Sequence, residues 1–292
     1  MPPKMLFPDM RPGFGAILGM GGSCFVSVVD DKTVHKSHEI WVHGKIQSRY
    51  PENCEEDLRR ELAVYEHMGP HDCILRCLGL EVIHSPPDVF ALRLELAPHG
   101  TVRDLIQKVF PGDPLPEKTR LQMCRDVASG FAHVHAKGVW HSDISCRNLL
   151  VFDDYRLKIC DFGGSIIQGR ESEFPATVAE EMQCQLPRRG REVVSGRPRI
   201  KRELFAIGCC MYEIMAWKRP FQGEIDGEAT KRYELNGEVT KRYEGEEFPS
   251  LDGIPDKVAK VITSCWNEVY DSTDEIVECL GFSFTEEFIA ST

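Results

Sequence analysis

The chain changes its periodicity at Pro98, and that change limits the fold more than any other feature. Ahead of it lie short runs of β character: Phe14–Leu18, Cys24–Val29, Thr33–Lys36, Ile74–Glu81 and Val89–Leu96. They enclose one helical stretch, Glu55–Met68, in which Leu58, Leu62 and Tyr65 recur at helical spacing and which Gly69-Pro70 ends. After Pro98 the pattern is helical: Val102–Phe110, Pro116–Lys137 with Cys124, Val127, Phe131 and Val134 on one stripe, Val258–Trp266 and Ser272–Leu280. Leu204–Trp217 is apolar almost all round, so it is expected to run through the middle of a lobe. Strands followed by helices predict an α+β, bilobal fold. The expected division is a β-rich N-lobe over 14–97 and an α-helical C-lobe over 98–285, which 292 residues can fill as one domain with a shared cleft.

A net charge of −11 argues against nucleic acid or an anionic membrane as the main partner, although many soluble enzymes are as acidic. The first residues hold no apolar run of signal-peptide length, and no stretch approaches the ~20 apolar residues of a membrane span. The expected location is intracellular, cytoplasmic or nuclear. The 12 cysteines are scattered, and Cys73 and Cys77 beside His71 lack metal-ligand spacing, so reduced, mostly buried thiols are expected.

The chemistry concentrates in His141-Ser142-Asp143-Ile144-Ser145-Cys146-Arg147-Asn148 and in Asp161-Phe162-Gly163. Asp143 can accept a proton from an attacking hydroxyl, while Asn148 and Asp161 can reach Mg²⁺ on a nucleotide. Each residue alone also suits a turn cap, but three at this spacing disfavour that reading. Gly19, Gly21 and Gly22 lie between two strands, where glycine lets backbone N–H groups approach a phosphate, as it also serves a plain hairpin turn. If Asp30–Lys32 form a three-residue loop, Val26 faces Lys36 and Val28 faces Val34. Val26, Val34 and Lys36 then share the cleft face, apolar groups for a base and an ammonium for its phosphates. That geometry selects Lys36 over Lys32 and Lys45. Glu61, mid-helix, is its natural ion-pair partner, against the plainer reading of an exposed helix glutamate.

On these residues the chain resembles a eukaryotic protein kinase domain from about Gly19 to about Leu280, most closely the short, divergent domains of filamentous fungi. The resemblance implies ATP and Mg²⁺ as cofactors and a protein hydroxyl as substrate. It implies that Val26 packs on the adenine, that Leu94 is the gatekeeper, that the backbone of Glu95 and Ala97 meets the adenine edge, and that Asp104 reaches the ribose. From the residues alone, Phe90–Ala97 reads equally as a plain buried strand. Departures from the family pattern are as informative. Cys24 stands where a third glycine belongs, which weakens the phosphate grip. Ser142 replaces an arginine that grips a phosphate on the activation segment, so that switch is expected to be absent. Ser145 replaces the lysine of serine/threonine kinases, and Arg147, placed as in many tyrosine kinases, supplies a positive charge instead. The Ala-Pro-Glu that closes the segment is missing, with Leu186-Pro187-Arg188 in its place, and Thr273 stands where its arginine partner would be. Glu203 takes the place of an aspartate that braces the catalytic loop.

The expected activity is an ATP-dependent protein kinase. The family favours Ser/Thr, and Arg147 pulls towards Tyr. The alternative is a nucleotide-binding pseudokinase or scaffold. A small-molecule phosphotransferase shares the His-x-Asp loop but normally lacks Asp-Phe-Gly. Gly227–Glu234 recurs ten residues later as Gly237–Glu244, which reads as a local duplication in an exposed loop-helix segment or, more sharply, as a docking surface for a partner over 227–244.

Overall fold

In the computed structural model, which describes residues 17–20, 24–42, 45–48, 54–85, 88–174, 180–188, 196–224 and 232–281, five strands form one antiparallel sheet. These are β1 (Ile17–Met20), β2 (Phe25–Val28), β3 (Thr33–Ser37), β6 (Cys77–His84) and β7 (Val89–Glu95), in the order β1-β2-β3-β7-β6. The β2–β3 ladder sets Val26 opposite Lys36 and Val28 opposite Val34, the register that a three-residue loop dictates. Across the next ladder Val34 faces Leu94 and Lys36 faces Leu92. Because side chains alternate, Val26, Val34, Lys36, Leu92 and Leu94 share one face. The other face carries a charged network in which Arg93 reaches Asp30 at 2.8 Å and Glu81 at 3.2 Å, with His35 2.9 Å from Glu81.

Two features depart from the expected strands. β1 begins at Ile17 and takes Gly19 into the ladder, opposite Val26, while Phe14 lies outside the described residues. A separate two-stranded sheet, β4 (Glu39–Val42) and β5 (Lys45–Ser48), has no counterpart in the expectation. Its four-residue strands are too short for alternation to stand out. It removes Lys45 from the five-stranded sheet.

Helix α1 (Cys54–Met68) buries Leu58, Glu61, Tyr65 and Met68 on one stripe. A carboxylate in that stripe must find a cation. After Leu96 the chain is mainly helical. α2 (Val102–Asp104) runs on as a wider π-helical turn, Leu105–Val109, where a single helix was expected. α3 (Glu117–Ala136) buries the stripe Cys124, Val127, Phe131 and Val134. Gly130 on this helix has no room for a side chain, since a Cβ there would lie 2.6 Å from Ile159. Short pairs β8 (Val139–Trp140) with β11 (Ile166–Ile167), and β9 (Leu149–Val151) with β10 (Leu157–Ile159), frame the loops that follow.

Helix α4 (Arg199–Ala216) is buried from Glu203 to Met215 and begins a turn before the apolar run. α5 (Arg232–Glu244) carries the second copy of the duplication. That copy is not simply exposed: Val239 and Tyr243 are fully buried, and the Tyr243 ring packs on Phe205, Phe221, Phe248 and Trp266. Residues 227–231 of the first copy lie outside the described residues. α6 (Asp256–Trp266) and α7 (Thr273–Leu280) close the fold, α7 through a Ser272/Glu275 capping box. A sheet-based first region on a helical second one is the α+β, bilobal architecture that the periodicity predicts. No described helix is long and apolar enough to cross a membrane.

Candidate active site

The two regions meet where β3, α1 and the turn after β10 converge. Lys36 Nζ lies 2.6 Å from Glu61 Oε2 and 2.6 Å from Asp161 Oδ1. Burial works against the Lys36 charge, but Asp161 and Glu61 outweigh it and hold the ammonium well above its ordinary range. In return Lys36 holds the Asp161 carboxyl below its usual value, while burial pushes Glu61 up. Glu61 Oε1 is buried with no hydrogen-bond partner. Gly163 borders this corner, where a Cβ would lie in ordinary contact with Glu61 and Asp161.

A column of rings sets the position of Asp161. Phe162 is fully buried, its centroid 5.0 Å from Tyr65 of α1 and 5.0 Å from His141, which stands 5.9 Å from Phe131 of α3. His141 Nε2 donates to the Cys160 carbonyl at 2.9 Å, and its Nδ1 accepts from the Asp143 N–H at 3.2 Å. The loop that carries Asp143 and the turn that carries Asp161 are thereby tied through one imidazole.

Asp143 sits on that loop with Asn148 folded over it. Asn148 Nδ2 donates to the Asp143 carbonyl at 2.8 Å and to Oδ2 at 3.1 Å. Oδ1 is buried without a hydrogen-bond partner, 3.7 Å from the Arg147 guanidinium. Burial pushes the Asp143 carboxyl up, against the pull of His141 and Arg147. Glu203 of α4 braces the loop from below, accepting the His141 N–H at 3.0 Å and the Ser142 N–H at 2.8 Å. Burial opposes the charge on Glu203, and its bonds to His135 and the loop outweigh that, leaving the carboxyl below its ordinary value. His135 lies 3.2 Å from Glu203 and 2.5 Å from Thr273 Oγ1, so Thr273 is the outer link of the same brace.

The remaining predicted positions are distributed as follows. Val26, Val34 and Leu94 line the sheet face that carries Lys36. Glu95 ends β7, where its N–H donates to the Arg76 carbonyl and its side chain pairs with Lys158 at 2.7 Å; Ala97 lies just beyond, after Leu96. Asp104 accepts from Thr101 at 3.0 Å and pairs with Lys108 at 2.7 Å. Gly19 lies in β1, and Gly21 and Gly22 fall outside the described residues. Cys24 is buried, with Sγ 3.7 Å from His38 Nδ1. Cys160 borders the site, but burial pushes its thiol up, which makes it a poor nucleophile. Ser145 is almost fully buried and does not present itself to a substrate.

Every group here that suits a metal is oxygen: the carboxylate of Asp161 and the carboxamide of Asn148. Among the described residues no set of three or more His, Cys, Asp or Glu is arranged to hold an ion by itself. Two oxygen side chains completed by nucleotide phosphates suit Mg²⁺, which seldom takes an all-protein cage. A family model, the protein kinase domain, matches residues 14–276. The chain belongs to the protein kinase domain family.

Among curated relatives, the kinase domain is 28% identical over 218 residues to the carbon catabolite-derepressing protein kinase of Secale cereale, covering 72% of this chain and 40% of that protein. It is 26% identical to the serine/threonine/tyrosine-protein kinase HT1 of Arabidopsis thaliana, over 62% of this chain and 43% of the relative. A shorter match, 36% identical, covers 36% of this chain and 31% of the Arabidopsis thaliana mitogen-activated protein kinase kinase kinase 20. The matched part is thus less than half the length of each of these relatives.

Sequence reasoning missed three features of this kinase domain. It treated the ion pair at the end of the activation segment as simply lost. Arg188 is exposed, but Arg197, buried, donates to the Pro187 carbonyl at 3.0 Å and pairs with Glu268 at 3.0 Å. A pair of reversed polarity therefore ties the segment to the α6–α7 turn. The second feature is Thr273 as the outer link of the Glu203 brace. The third is Arg103, buried between Glu213 at 2.7 Å and Glu181 at 3.1 Å. Glu213 was the available signal, a carboxylate inside the otherwise apolar run Leu204–Trp217, which requires a partner.

Proposed function

We propose that this chain is an active, Mg²⁺- and ATP-dependent protein kinase that transfers the γ-phosphate to a protein hydroxyl, Ser or Thr ahead of Tyr. The observation that carries the reading is Asp143 Oδ1, a buried carboxylate oxygen with no hydrogen-bond partner, on a loop braced by Glu203 and Asn148. An unmatched buried acceptor of this kind fits the proton of an attacking hydroxyl. Asp143 is the catalytic base. Lys36, oriented by Glu61, grips the nucleotide phosphates. Asn148 and Asp161 hold Mg²⁺, which when bound neutralises charge building on the phosphates. Arg147 adds positive charge beside the transfer site. Gly19, Gly21 and Gly22 cover the phosphates, Val26, Val34 and Leu94 enclose the base, the backbone of Glu95 and Ala97 meets its edge, and Asp104 reaches the ribose.

The expected setting is intracellular, cytoplasmic or nuclear. A docking role for 227–244 would rest on side chains other than Val239 and Tyr243, which the core already uses. Cys24 favours the second reading, a nucleotide-binding pseudokinase, because a buried side chain replaces a glycine of the phosphate hairpin.

Incubation with γ-labelled ATP, Mg²⁺ and a degenerate peptide library, followed by phosphoamino-acid analysis, separates the two. Mg²⁺-dependent label on Ser and Thr is the expected result. Nucleotide binding without any label would establish the pseudokinase.

A further inference from the structure

The acidic residue Glu181, in the segment that ends before Arg188, gathers three guanidinium groups. Its carboxylate is bonded to Arg103 at 3.1 and 3.4 Å and to Arg147 Nε at 3.2 Å, and it lies 3.9 Å from Arg219. Arg103 is in turn gripped through two bonds by Glu213, 2.7 and 2.8 Å away on α4. Glu213, Arg103 and Glu181 are all buried, so the Glu181 carboxylate is fixed in place. Arg147 is different. Its side chain is 43% exposed, and a long side chain that exposed has many rotamers open to it. What selects one of them is the bond from its Nε to Glu181. With Nε tethered there, Nη2 comes to 3.7 Å from Asp143 Oδ1. That distance is too long for a hydrogen bond and short enough for a strong electrostatic effect.

We propose that Glu181 is a positioning residue for phosphoryl transfer, holding the Arg147 guanidinium beside the Asp143 base at a distance that leaves free the oxygen that receives the proton. This rests on the reading of Asp143 as the base. The other groups facing Asp143 are His141 and Asn148 on its own loop and Cys160 and Asp161 from the turn after β10. Glu181 also stands in a segment whose phosphate-gripping arginine is replaced by Ser142. A carboxylate built into the chain therefore links that segment to the catalytic loop without any phosphate.

The test uses the full chain, with Glu181→Gln, Arg147→Gln and the double variant, and two readouts. The first is hydrogen exchange of the Arg147 Nε–H followed by NMR, which needs no turnover. The second is the split between kcat and KM, with Mg²⁺-ATP and casein. A slowly exchanging Nε–H is expected in the wild type and a faster one in Glu181→Gln. Glu181→Gln is expected to lower kcat by about 10²-fold with KM for ATP unchanged. In the Arg147→Gln background Glu181→Gln is expected to add nothing. A loss of kcat that persists undiminished without Arg147 would overturn the proposal. Should Glu181→Gln not fold, the wild type decides: an Nε–H exchanging as fast as a free arginine would refute the tether. A wild type that transfers no phosphate would defeat the kinase reading alone, because the Nε–H signal still reports on the tether.

Discussion

The Lys36–Glu61–Asp161 triangle and the Glu213–Arg103–Glu181–Arg147 chain meet at the same loop, His141–Asn148, yet they balance charge in opposite ways. In the triangle one ammonium faces two carboxylates, which leaves an excess of negative charge at the one corner open to solvent, Asp161. A divalent cation is what such a corner lacks. In the chain, cations and carboxylates alternate, and each buried charge is bracketed by the opposite one. The first arrangement invites a ligand. The second ends on Arg147, whose Nε is bonded to Glu181. Two ion networks of similar composition therefore differ in where their excess charge lies.

The largest expected effect breaks the chain. Arg103→Leu leaves Glu213 buried with no counter-ion and should destabilise the fold by about 3–5 kcal/mol, read by denaturant unfolding. The cost depends on pH with a definite sign. Burial pushes the Glu213 carboxyl up to about 7 even with Arg103 present. A carboxyl raised above its unfolded value favours folding at low pH and loses that contribution as pH rises through the folded value. Without Arg103 the carboxyl rises further, so the deficit of the variant should grow above that value and shrink below it. A deficit that widens in acid would contradict the assignment. Glu61→Gln gives the contrast. Asp161 still neutralises Lys36, so stability should fall by only about 1 kcal/mol while phosphoryl transfer drops sharply; a loss as large as that of Arg103→Leu would erase the distinction.

The smallest effect sharpens the comparison on the far side of the loop. Thr273→Val removes the bond to His135 behind Glu203. About 0.5–1.5 kcal/mol of stability should go with it, together with a small loss of kcat. No change in either would mean that Glu203 holds the loop without this outer link.

Much of this arrangement was legible in the sequence, for physical reasons that can be named. The Asp30–Lys32 loop length dictates that Val26 opposes Lys36, and the ladder has that register. The strand-to-helix change at Pro98 dictates the two-region architecture. Asp143 and Asn148 lie five residues apart on one loop, where spacing is geometry. What escaped was pairing at long range. Arg197 and Glu268 are 71 residues apart, Arg103 and Glu213 are 110 apart, and Thr273 finds His135 across 138. No local pattern encodes such pairs. The β4–β5 hairpin escaped for the opposite reason, because its strands are too short for a period to register. Burial of Val239 and Tyr243 in the second copy of the duplication escaped because it depends on rings elsewhere in the sequence.

The central claim is that Asp143 is the base of a working phosphotransferase, and Asp143→Asn tests it most directly. The variant and the wild type would be compared for phosphoryl transfer to protein and, in parallel, for thermal stabilisation by Mg²⁺-ATP. Loss of the base should lower transfer by about 10²- to 10⁴-fold while stabilisation by the nucleotide is kept. Undiminished transfer in Asp143→Asn would contradict the account.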